Sequence, residues 1–342
     1  MPLKSSKRIR PEQVNNCVSI NDSCNDRYYD SYGNLSVHAL MLRDAPRMET
    51  YSQALAQSKG AIEGKIVIDV GSGTGILSMM CAKLCNPKHV YAIEANKYIA
   101  DLSRVIIEQN GLQDIISVIN KPVEDVDLSD WKHAGEKANV VISEWMGFYL
   151  VHEAMLDSVL WARDFLCEPN PLLLPSHCRV WAAIVSNEKF RNSELEIWRD
   201  PVACGIDMSS IGMARAVELT ATPQIEILEP SQLLSLPVVA LQLDLSTIDR
   251  LGFAAQPLKA NLCLKIESEG VFSSVGIWFD VSFRGTDVVL DTSPFHPPTH
   301  WKQTNVFLGC WAQVPVGCPI DFSLTISRPD PTERQYTITI ET

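Results

Sequence analysis

Two kinds of apolar pattern alternate between residues 65 and 166. Short, nearly continuous apolar runs predict buried strands, and longer segments with apolar positions three and four residues apart predict helices. Strands separated by helices in this way indicate parallel βαβ units, and therefore an α/β domain. The predicted strands are residues 65–70, 89–93, 115–120 and 138–143, and the predicted helices are residues 76–84, 97–110 and 153–166.

The segments before the first strand have a different pattern. Residues 1–25 are polar with charges of both signs, which predicts a disordered N-terminal arm. Residues 28–55 have a helical pattern that Pro46 interrupts, so two short helices should precede the first strand. We assign residues 26–174 to these helices and the α/β domain.

The pattern changes at residues 168–175, where three prolines stand among three leucines. Beyond this point, short stretches alternate apolar and polar residues, which is typical of strands in an all-β barrel or sandwich. We assign residues 175–342 to this second domain. Its strands are predicted at residues 180–185, 238–245, 261–266, 275–283, 304–308, 321–327 and 336–340.

A long interruption separates the first two strands of the second domain. Residues 187–234 include the apolar residues Trp198, Ile206, Met208 and Ile211. A connection of this length needs a packing partner of its own. We therefore expect residues 187–216 to form an arm that packs against another molecule.

The composition is typical of a globular protein, with 46% hydrophobic and 20% charged residues. No apolar run approaches the roughly 18 residues of a membrane span, and the N-terminus lacks the apolar stretch of a secretory signal, so we expect an intracellular protein in the cytoplasm or the nucleus. The ten cysteines form no CxxC or Cys/His cluster, so we expect no metal site and no disulfides. The net charge of −12 disfavours nucleic acid and favours basic partners.

A glycine-rich turn follows the first predicted strand. Residues 69–75 read Asp-Val-Gly-Ser-Gly-Thr-Gly and lead directly into the predicted helix 76–84. Glycines let the backbone reverse tightly and approach a ligand without a side chain between them. The turn therefore predicts a cofactor site at the carboxyl end of the first strand.

Two cofactor classes use such a turn. A dinucleotide fingerprint has its third small residue five positions after the first glycine, but here that position is Ile76. Asp69 would repel a pyrophosphate, whereas it could attract the amino group or the sulfonium of S-adenosylmethionine. Glu94 ends the next strand roughly 20 residues further on, where a carboxylate accepts hydrogen bonds from ribose hydroxyls. These features favour the methyl donor over a nicotinamide cofactor.

A pair of glutamates follows the fourth predicted strand. Glu144 stands at the carboxyl end of that strand, where ligands of open α/β sheets bind, and Glu153 begins the next predicted helix. Each could instead be an ordinary charge, one in a loop and the other in the first turn of a helix. The aromatic residues Trp145, Phe148 and Tyr149 lie between them. Two carboxylates with aromatic walls suit a guanidinium, so an arginine side chain is the natural substrate.

Two stretches around the site resemble the protein arginine N-methyltransferase family. Residues 143–147 (Ser-Glu-Trp-Met-Gly), with Glu153 nine positions after Glu144, resemble its double-E loop. Residues 28–32 (Tyr-Tyr-Asp-Ser-Tyr) resemble its N-terminal YFxxY region and cofactor lid, with Tyr29 in place of the usual Phe.

The resemblance extends through the second half of the chain. Residues 299–303 (Thr-His-Trp-Lys-Gln) resemble the THW loop of the family, and residues 205–209 (Gly-Ile-Asp-Met-Ser) resemble its dimerisation arm. The match covers residues 25–342 in order. Within the family, residues 293–297 (Ser-Pro-Phe-His-Pro) and the short chain look most like the sixth member, a type I enzyme.

The resemblance implies a fold and a cofactor site. The implied fold is an α/β Rossmann-like methyltransferase domain, followed by an all-β barrel domain with a helical dimerisation arm. Arg47 would pair with the carboxylate of S-adenosylmethionine, and Glu94 would bind its ribose. The other residues that the resemblance assigns to the cofactor, besides Asp69 of the turn, are His38, Met41, Gly71, Gly73, Val123, Glu124 and Met155.

The resemblance also implies a substrate site. Tyr28 and Tyr32 would close over an arginine that Glu144 and Glu153 bind. Met146 and Trp301 would complete the substrate site.

A proton must leave the guanidine nitrogen during or after methyl transfer, because free guanidinium loses its proton only near pH 13. We expect His300 with Asp44 to provide the proton route, although His300 could instead be a packing residue beside Trp301. In the family, a Met at the position of Met41 goes with asymmetric dimethylarginine, the type I product.

The implied partners are a second copy of the chain and arginine-containing protein substrates, with glycine- and arginine-rich or basic tails. We expect S-adenosylhomocysteine as the product of the cofactor, no metal, no membrane and no direct nucleic acid partner. A catalytically silent, dimeric binding module of the same fold is the alternative. Glu144, Glu153 and Arg47 argue against it because a silent relative would be free to lose them.

Overall fold

The computed structural model describes residues 28–29, 32–133, 135–198, 206–330 and 334–342. The predicted arm at residues 1–25 lies outside the described residues. So do Asp30 and Ser31 of the YFxxY-like stretch, and Gly205 of the arm motif.

In the continuous described stretch from residue 32 to the first strand, three helices occur: α1 (Leu35–Arg43), α2 (Ala45–Gln57) and the short α3 (Lys59–Ile62). Asp44 ends α1 and caps α2, and Pro46 stands in the first turn of α2. Proline is tolerated there because its missing N–H would have no helical partner. The two predicted helices are confirmed, and the third was not predicted.

A five-stranded parallel sheet with the strand order β3-β2-β1-β4-β5 forms the first half of the molecule. The strands β1 and β2 are buried at every position, which explains their continuous apolar runs. The order changes direction beside β1, and ligands of such sheets bind at this point, beyond the carboxyl ends of the strands. The elements are β1 (Ile66–Val70), α4 (Ile76–Cys85), β2 (His89–Ile93), α5 (Lys97–Gln109), β3 (Ile116–Ile119), β4 (Ala138–Ile142), α6 (Met155–Phe165) and β5 (Cys167–Leu174).

Most of the proline-rich residues 168–175 belong to the edge strand β5, which pairs in parallel with β4. Sequence analysis did not predict this strand. Pro169 is exposed and Pro171 is buried, and both lie where the pairing with β4 is irregular. Proline lacks a donor for the hydrogen-bond ladder, but an edge strand needs partners on one side only. The prolines therefore concealed this strand from sequence reasoning.

Two antiparallel sheets form the second half. One has the order β7-β12-β10-β6-β8 with β11 paired to β10, and the other has the order β14-β13-β9. The sheets meet between β8 and β9 and between β12 and β14, so the arrangement is barrel-like. The strands are β6 (His177–Val185), β7 (Gln224–Glu226), β8 (Val238–Asp244), β9 (Leu258–Lys265), β10 (Gly270–Ser282), β11 (Val289–Asp291), β12 (Gln303–Val314), β13 (Pro319–Ser327) and β14 (Thr337–Glu341).

Every strand predicted for this half is confirmed. The strands β7 and β11 were missed because each has three residues, too few for an alternating pattern to be recognised. A short helix, α9 (Arg250–Ala255), was missed as well.

The long interruption after β6 contains α7 (Glu188–Glu194) and α8 (Ser209–Ala221). Part of it packs within its own chain: α8 contacts β12, and the rings of Phe190 and Phe307 stack with centroids 5.0 Å apart. The expectation that it needs a partner from another molecule is therefore too broad. Among its described residues, the exposed large apolar side chains are Ile197, Ile206, Met208, Ile211, Met213, Val217 and Ile227.

The described residues contain no helix that is both long and apolar enough to cross a membrane. They also contain no group of three or more His, Cys, Asp or Glu side chains placed to bind a metal ion. Their free thiols include those of Cys81, Cys85, Cys167, Cys178, Cys263 and Cys318.

Asp69 belongs to β1, and its side chain is hydrogen-bonded to α4 beneath the glycine turn. Its side chain is buried, and one carboxylate oxygen accepts a hydrogen bond from the Ser78 hydroxyl at 2.7 Å. The other oxygen is buried without a hydrogen-bond partner. Burial raises the pKa of Asp69 to about 6, although the hydrogen bonds from Ser78 act in the opposite direction. A buried charge at this position therefore destabilises the fold at neutral pH.

We predict that Asp69→Asn stabilises the protein at neutral pH more than at acidic pH. Asp69 has a pKa of about 6 in the folded state and 3.8 in the unfolded state. The wild type therefore loses stability as pH rises between these two values. The Asn side chain stays neutral, so the variant does not. The difference in unfolding free energy between Asp69→Asn and the wild type should increase as pH rises across this interval and level off at about 3 kcal/mol. Urea unfolding at several pH values measures it.

The control for this experiment is Asp114→Asn, at an exposed position. It should retain the pH dependence of the wild type. A loss of stability in Asp69→Asn at neutral pH, or a gain that is independent of pH, would contradict the prediction.

Candidate active site

A cavity of about 270 Å³ lies at the carboxyl ends of β1, β2 and β4. Among the predicted site residues, only Asp44 and Asp69 are not on its wall. Asp69 lies beneath the turn, and its contact with a cofactor stays a prediction. The predicted residues that line the cavity are Tyr28, Tyr32, His38, Met41, Arg47, Gly71, Gly73, Glu94, Val123, Glu124, Glu144, Met146, Glu153, Met155, His300 and Trp301.

The glycine turn forms one wall of the cavity. Gly71 and Gly73 have left-handed backbones, with φ of +70° and +55°. A Cβ on Gly71 would stand 2.6 Å from the terminal methyl of Met155, and one on Gly73 would stand 3.4 Å from the ring of His38. The left-handed backbone therefore favours glycine at Gly71, whereas the Met155 methyl ends a flexible side chain that can move.

Glu94 lies beside this turn at the end of β2. Its carboxylate accepts hydrogen bonds from the backbone N–H of Gly73 at 2.9 Å and of Asn96 at 2.7 Å. Burial raises the pKa of Glu94, and these two backbone donors act against that effect. Each oxygen has a second lone pair, so the carboxylate is placed to accept the two hydroxyls of a ribose.

Val123 and Glu124 form the neighbouring part of the wall, in a single turn of 3-10 helix. Val123 is buried, and Glu124 accepts a hydrogen bond from the Ser158 hydroxyl of α6 at 2.6 Å. Sequence reasoning did not identify Ser158, which also lines the cavity. An apolar side chain next to an oriented carboxylate suits an adenine ring with its amino group.

Arg47 and Glu144 form a buried ion pair at the bottom of the cavity. The Arg47 Nε lies 2.9 Å from a Glu144 oxygen, and the two side chains are 6% and 8% exposed. Arg47 Nη1 also donates to the carbonyl of Met41 at 3.3 Å. The pair offsets the desolvation of both charges. Sequence reasoning gave Arg47 a cofactor contact and did not predict its contact with Glu144.

The prediction that Glu153 begins a helix is wrong. The helix α6 begins at Met155, and both Glu153 and Ala154 have left-handed backbones, with φ of +83° and +53°. The preceding loop is tightly folded, since a Cβ on Gly147 would collide with the carbonyl oxygen of His152. Such strained backbone occurs where the surroundings determine it, often at functional sites.

Two tyrosines cover Glu153. The Tyr32 hydroxyl donates to its carboxylate at 2.6 Å, and Tyr28 also hydrogen-bonds it. Burial raises the pKa of Glu153, the two tyrosines act to lower it, and the like charge of Glu144 raises it further. The carboxylates of Glu144 and Glu153 therefore act on one another across a shared space.

Asp44 lies behind the cavity wall and binds His300. Its carboxylate contacts the ring Nδ1 of His300 at 2.6 Å and accepts from the backbone N–H of His300 at 2.8 Å. Burial acts to raise the pKa of Asp44, but these bonds and one from the backbone of Arg47 lower it below its ordinary value. The neighbouring Trp301 donates to the carbonyl of Met146 at 2.7 Å, which fixes the loop that carries Glu144.

Sequence analysis misplaced one tyrosine near the site and missed another tyrosine and an arginine. Tyr149 was expected in an aromatic wall, but it lies outside the cavity lining and its hydroxyl donates to the carbonyl of Tyr336 at 2.5 Å. Tyr51 was missed, and its hydroxyl donates to the carbonyl of Ser143 at 2.9 Å. Arg334 was missed because the residue it contacts in the active-site loop, Glu153, is 181 positions away.

Comparisons with known proteins agree with this geometry. Residues 176–342 match the arginine methyltransferase oligomerization subdomain, and residues 50–156 match the TRM5/TYW2 methyltransferase domain. The probable protein arginine N-methyltransferase 6 of Arabidopsis thaliana is 33% identical over 92% of this chain and 78% of its own length. Protein arginine N-methyltransferase 2 of Homo sapiens is 34% identical over 89% of this chain and 69% of its own length.

Solved structures have the same fold. A chain of the Trypanosoma brucei PRMT1 enzyme-prozyme heterotetrameric complex with AdoHcy superposes with a TM-score of 0.80 at 29% identity, covering 91% of this chain and 94% of that chain. The crystal structure of PRMT6 with SAH superposes with a TM-score of 0.75 at 33% identity, covering 90% and 99%. The fold class and the resemblance predicted from sequence are confirmed, and the chain belongs to the protein arginine N-methyltransferase family.

Proposed function

We propose that this protein transfers methyl groups from S-adenosylmethionine to arginine side chains of proteins, giving monomethylarginine and asymmetric dimethylarginine. The observation that carries the proposal is the placement of Glu144 and Glu153 on one cavity with the glycine turn and Glu94. One part of the cavity suits the methyl donor and the other suits a cation.

The residues present fit S-adenosylmethionine. Gly71 lines the cavity without a side chain, so its backbone can approach the methionine part of the donor. We assign the ribose to Glu94 and the adenine to Val123 and Glu124. Arg47 has donors beyond the one that Glu144 uses, so it can also bind the carboxylate of the donor.

The donor supplies a methyl group on a sulfonium, and the protein orients the acceptor. Glu144 and Glu153 bind the guanidinium through charge-assisted hydrogen bonds, which fixes the nitrogen that attacks. The two glutamates also accept hydrogen bonds from the guanidinium nitrogens that do not attack, which draws positive charge towards those nitrogens. Tyr28 and Tyr32 cover Glu153 and exclude water from it.

We assign the type I product to this enzyme because Met41 lines the cavity at the position where family members that make asymmetric dimethylarginine have Met. The acceptors would be glycine- and arginine-rich or basic tails. The protein has a net charge of −12, which favours encounter with basic segments.

A catalytically silent binding module remains the competing proposal. The trypanosome assembly pairs an enzyme with a prozyme, so both kinds of chain occur in one complex of that organism. The Arg47–Glu144 ion pair and the Tyr32–Glu153 hydrogen bond favour the enzyme for this chain, since a module without catalysis has no use for two buried carboxylates that face one cavity.

We predict that wild-type protein methylates a glycine- and arginine-rich peptide and that Glu144→Gln loses at least on the order of 10²-fold in kcat/KM. The amide cannot supply the charge that binds the guanidinium. Transfer of labelled methyl groups measures activity, and mass spectrometry of the peptide should identify asymmetric dimethylarginine.

Glu136→Gln, at a half-exposed position paired with Lys88, is the control and should retain full activity. Transfer by Glu144→Gln at the wild-type rate would contradict the proposed role of Glu144. A wild type without transfer would favour the silent module, and symmetric dimethylarginine would refute the type I assignment.

We propose His300 with Asp44 as the proton route and predict that His300→Asn lowers kcat by 10- to 10³-fold, with little change in peptide KM. His296→Asn is a matched control, because His296 also contacts an aspartate, Asp291 at 3.3 Å, but does not line the cavity. If both variants have the wild-type kcat, His300 only packs against Trp301.

We propose a homodimer in which exposed apolar side chains of the arm (residues 187–216), among them Ile206, Met208, Ile211 and Met213, contact the second copy. We predict that wild type sediments as a dimer at micromolar concentration and that Met213→Glu, at a side chain 66% exposed, weakens the dimer by placing a charge in the contact. Val316→Glu, 60% exposed but outside the arm, should remain dimeric. A monomeric wild type would contradict the proposal.

A further inference from the structure

Arg334 lies between Tyr28 and Tyr29, which we call the lid, and the turn at Glu153. The proposed mechanism does not use Arg334. It precedes β14 in the C-terminal segment and is only 9% exposed. Its Nη1 donates to the carbonyl oxygen of Glu153 at 3.3 Å, and its Nη2 donates to the Tyr29 hydroxyl at 3.0 Å. One side chain therefore joins two elements of the active site that are far apart in sequence.

The guanidinium of Arg334 also lies over both rings of the lid. Its central carbon is 4.4 Å from the ring centroid of Tyr28 and 5.2 Å from that of Tyr29. A planar guanidinium can stack on an aromatic face and donate hydrogen bonds from its edge at the same time. Lysine has the same charge but cannot make this combination of contacts, so the geometry at this position is specific to arginine.

The contacts of Arg334 leave the Glu153 carboxylate available to a ligand. Arg334 binds the backbone carbonyl of Glu153, and the Tyr28 ring that it stacks on carries a hydroxyl that hydrogen-bonds the carboxylate. Tyr28 and Tyr32 are themselves in edge contact, with centroids 5.2 Å apart. Arg334 therefore fixes the backbone of Glu153 and the tyrosines that orient its side chain.

The charge of Arg334 acts on Glu153 as well. Among the described residues, the titratable groups that act on Glu153 include Tyr28, Tyr32, Glu144 and Arg334. Burial and Glu144 raise the pKa of Glu153, while the tyrosine hydrogen bonds and the positive charge of Arg334 lower it. Arg334 thus favours the ionised carboxylate, which is the form that binds a cation.

We propose that Arg334 is a positioning residue for substrate arginine: it orients the Tyr28–Tyr29 lid over the Glu153 turn while leaving the carboxylate of Glu153 available to the incoming guanidinium. The proposal rests on the proposed function, because it assumes that Glu153 binds substrate. It assigns to the C-terminal segment a part in the geometry of a site that lies mainly in the α/β half.

The competing explanation is that Arg334 only stabilises the fold, and Arg328 provides a matched comparison. Arg328 belongs to the same segment, its side chain is 5% exposed, and it binds Asp157 at 2.7 Å. It also lies over an aromatic ring, with its central carbon 5.3 Å from the centroid of Tyr336. The two arginines therefore make similar contacts, but only Arg334 contacts the lid and Glu153.

The test compares Arg334→Gln, Arg334→Lys and Arg328→Gln in the full-length enzyme. We expect Arg334→Gln to raise the KM for a glycine- and arginine-rich peptide on the order of tenfold. It should also shift the acidic limb of the kcat/KM profile to higher pH, because the charge that favours ionised Glu153 is lost. The Kd for S-adenosylhomocysteine, measured by calorimetry, should not change.

Arg334→Lys retains the charge without the planar fork, so it should restore the acidic limb but not the peptide KM. Arg328→Gln should lower the urea midpoint and leave the peptide KM and the pH profile unchanged. If Arg334→Gln does not fold, the peptide KM of Arg334→Lys still decides, since a raised value supports positioning and an unchanged value overturns it.

Two results overturn the proposal while leaving the proposed function intact. One is an active wild type with an unchanged peptide KM in both Arg334 variants. The other is a raised KM in Arg328→Gln equal to that of Arg334→Gln, because the effect would then be a general loss of stability. A wild type that transfers no methyl groups refutes the proposed function first, and this proposal with it.

Discussion

Two like charges buried at one cavity are the constraint on which the rest of the site depends. Glu144 and Glu153 repel one another and lose hydration, so each needs compensation from the protein. Arg47 pairs directly with Glu144, and Glu153 has two tyrosine hydroxyls and the nearby charge of Arg334. The compensation is incomplete, because the pKa of Glu153 is still raised. A bound guanidinium would complete it, which makes the site selective for a planar cation.

The compensating groups come from opposite ends of the chain, so the cavity forms only when both halves fold together. Arg47 belongs to α2 and Arg334 to the segment before β14. Tyr51, also on α2, joins the same halves, since its hydroxyl binds the end of β4 and its ring meets Phe283 edge to face, 5.3 Å between centroids. The second half therefore determines the shape of a site whose main acids belong to the first.

Local features of the site could be predicted from the sequence, and long-range ones could not. The glycine turn and Glu94 follow from the position of the first two strands, because ligands bind at the carboxyl ends of parallel strands. The left-handed backbone of Glu153 was missed, since its pattern continues that of the following helix. The hydrogen bond from Ser78 to Asp69 was missed, because the glycine-rich motif does not show which side chain lies beneath it. Arg334 has no motif at all, and only the folded chain brings it to Glu153.

The lid has supports on both the cofactor side and the substrate side. Asn96 caps α5, donates its backbone N–H to Glu94 at 2.7 Å, and donates its side-chain amide to the Tyr29 carbonyl at 2.9 Å. The hydroxyl of the same Tyr29 accepts from Arg334, which binds the Glu153 turn. Contacts through Asn96, Tyr29 and Arg334 thus connect the Glu94 carboxylate, which we assign to the ribose, with the backbone of Glu153. Asn96 binds the backbone carbonyl of Tyr29 and Arg334 binds its hydroxyl, so the two supports act on different parts of the lid, and loss of Arg334 leaves the contact with Glu94 in place.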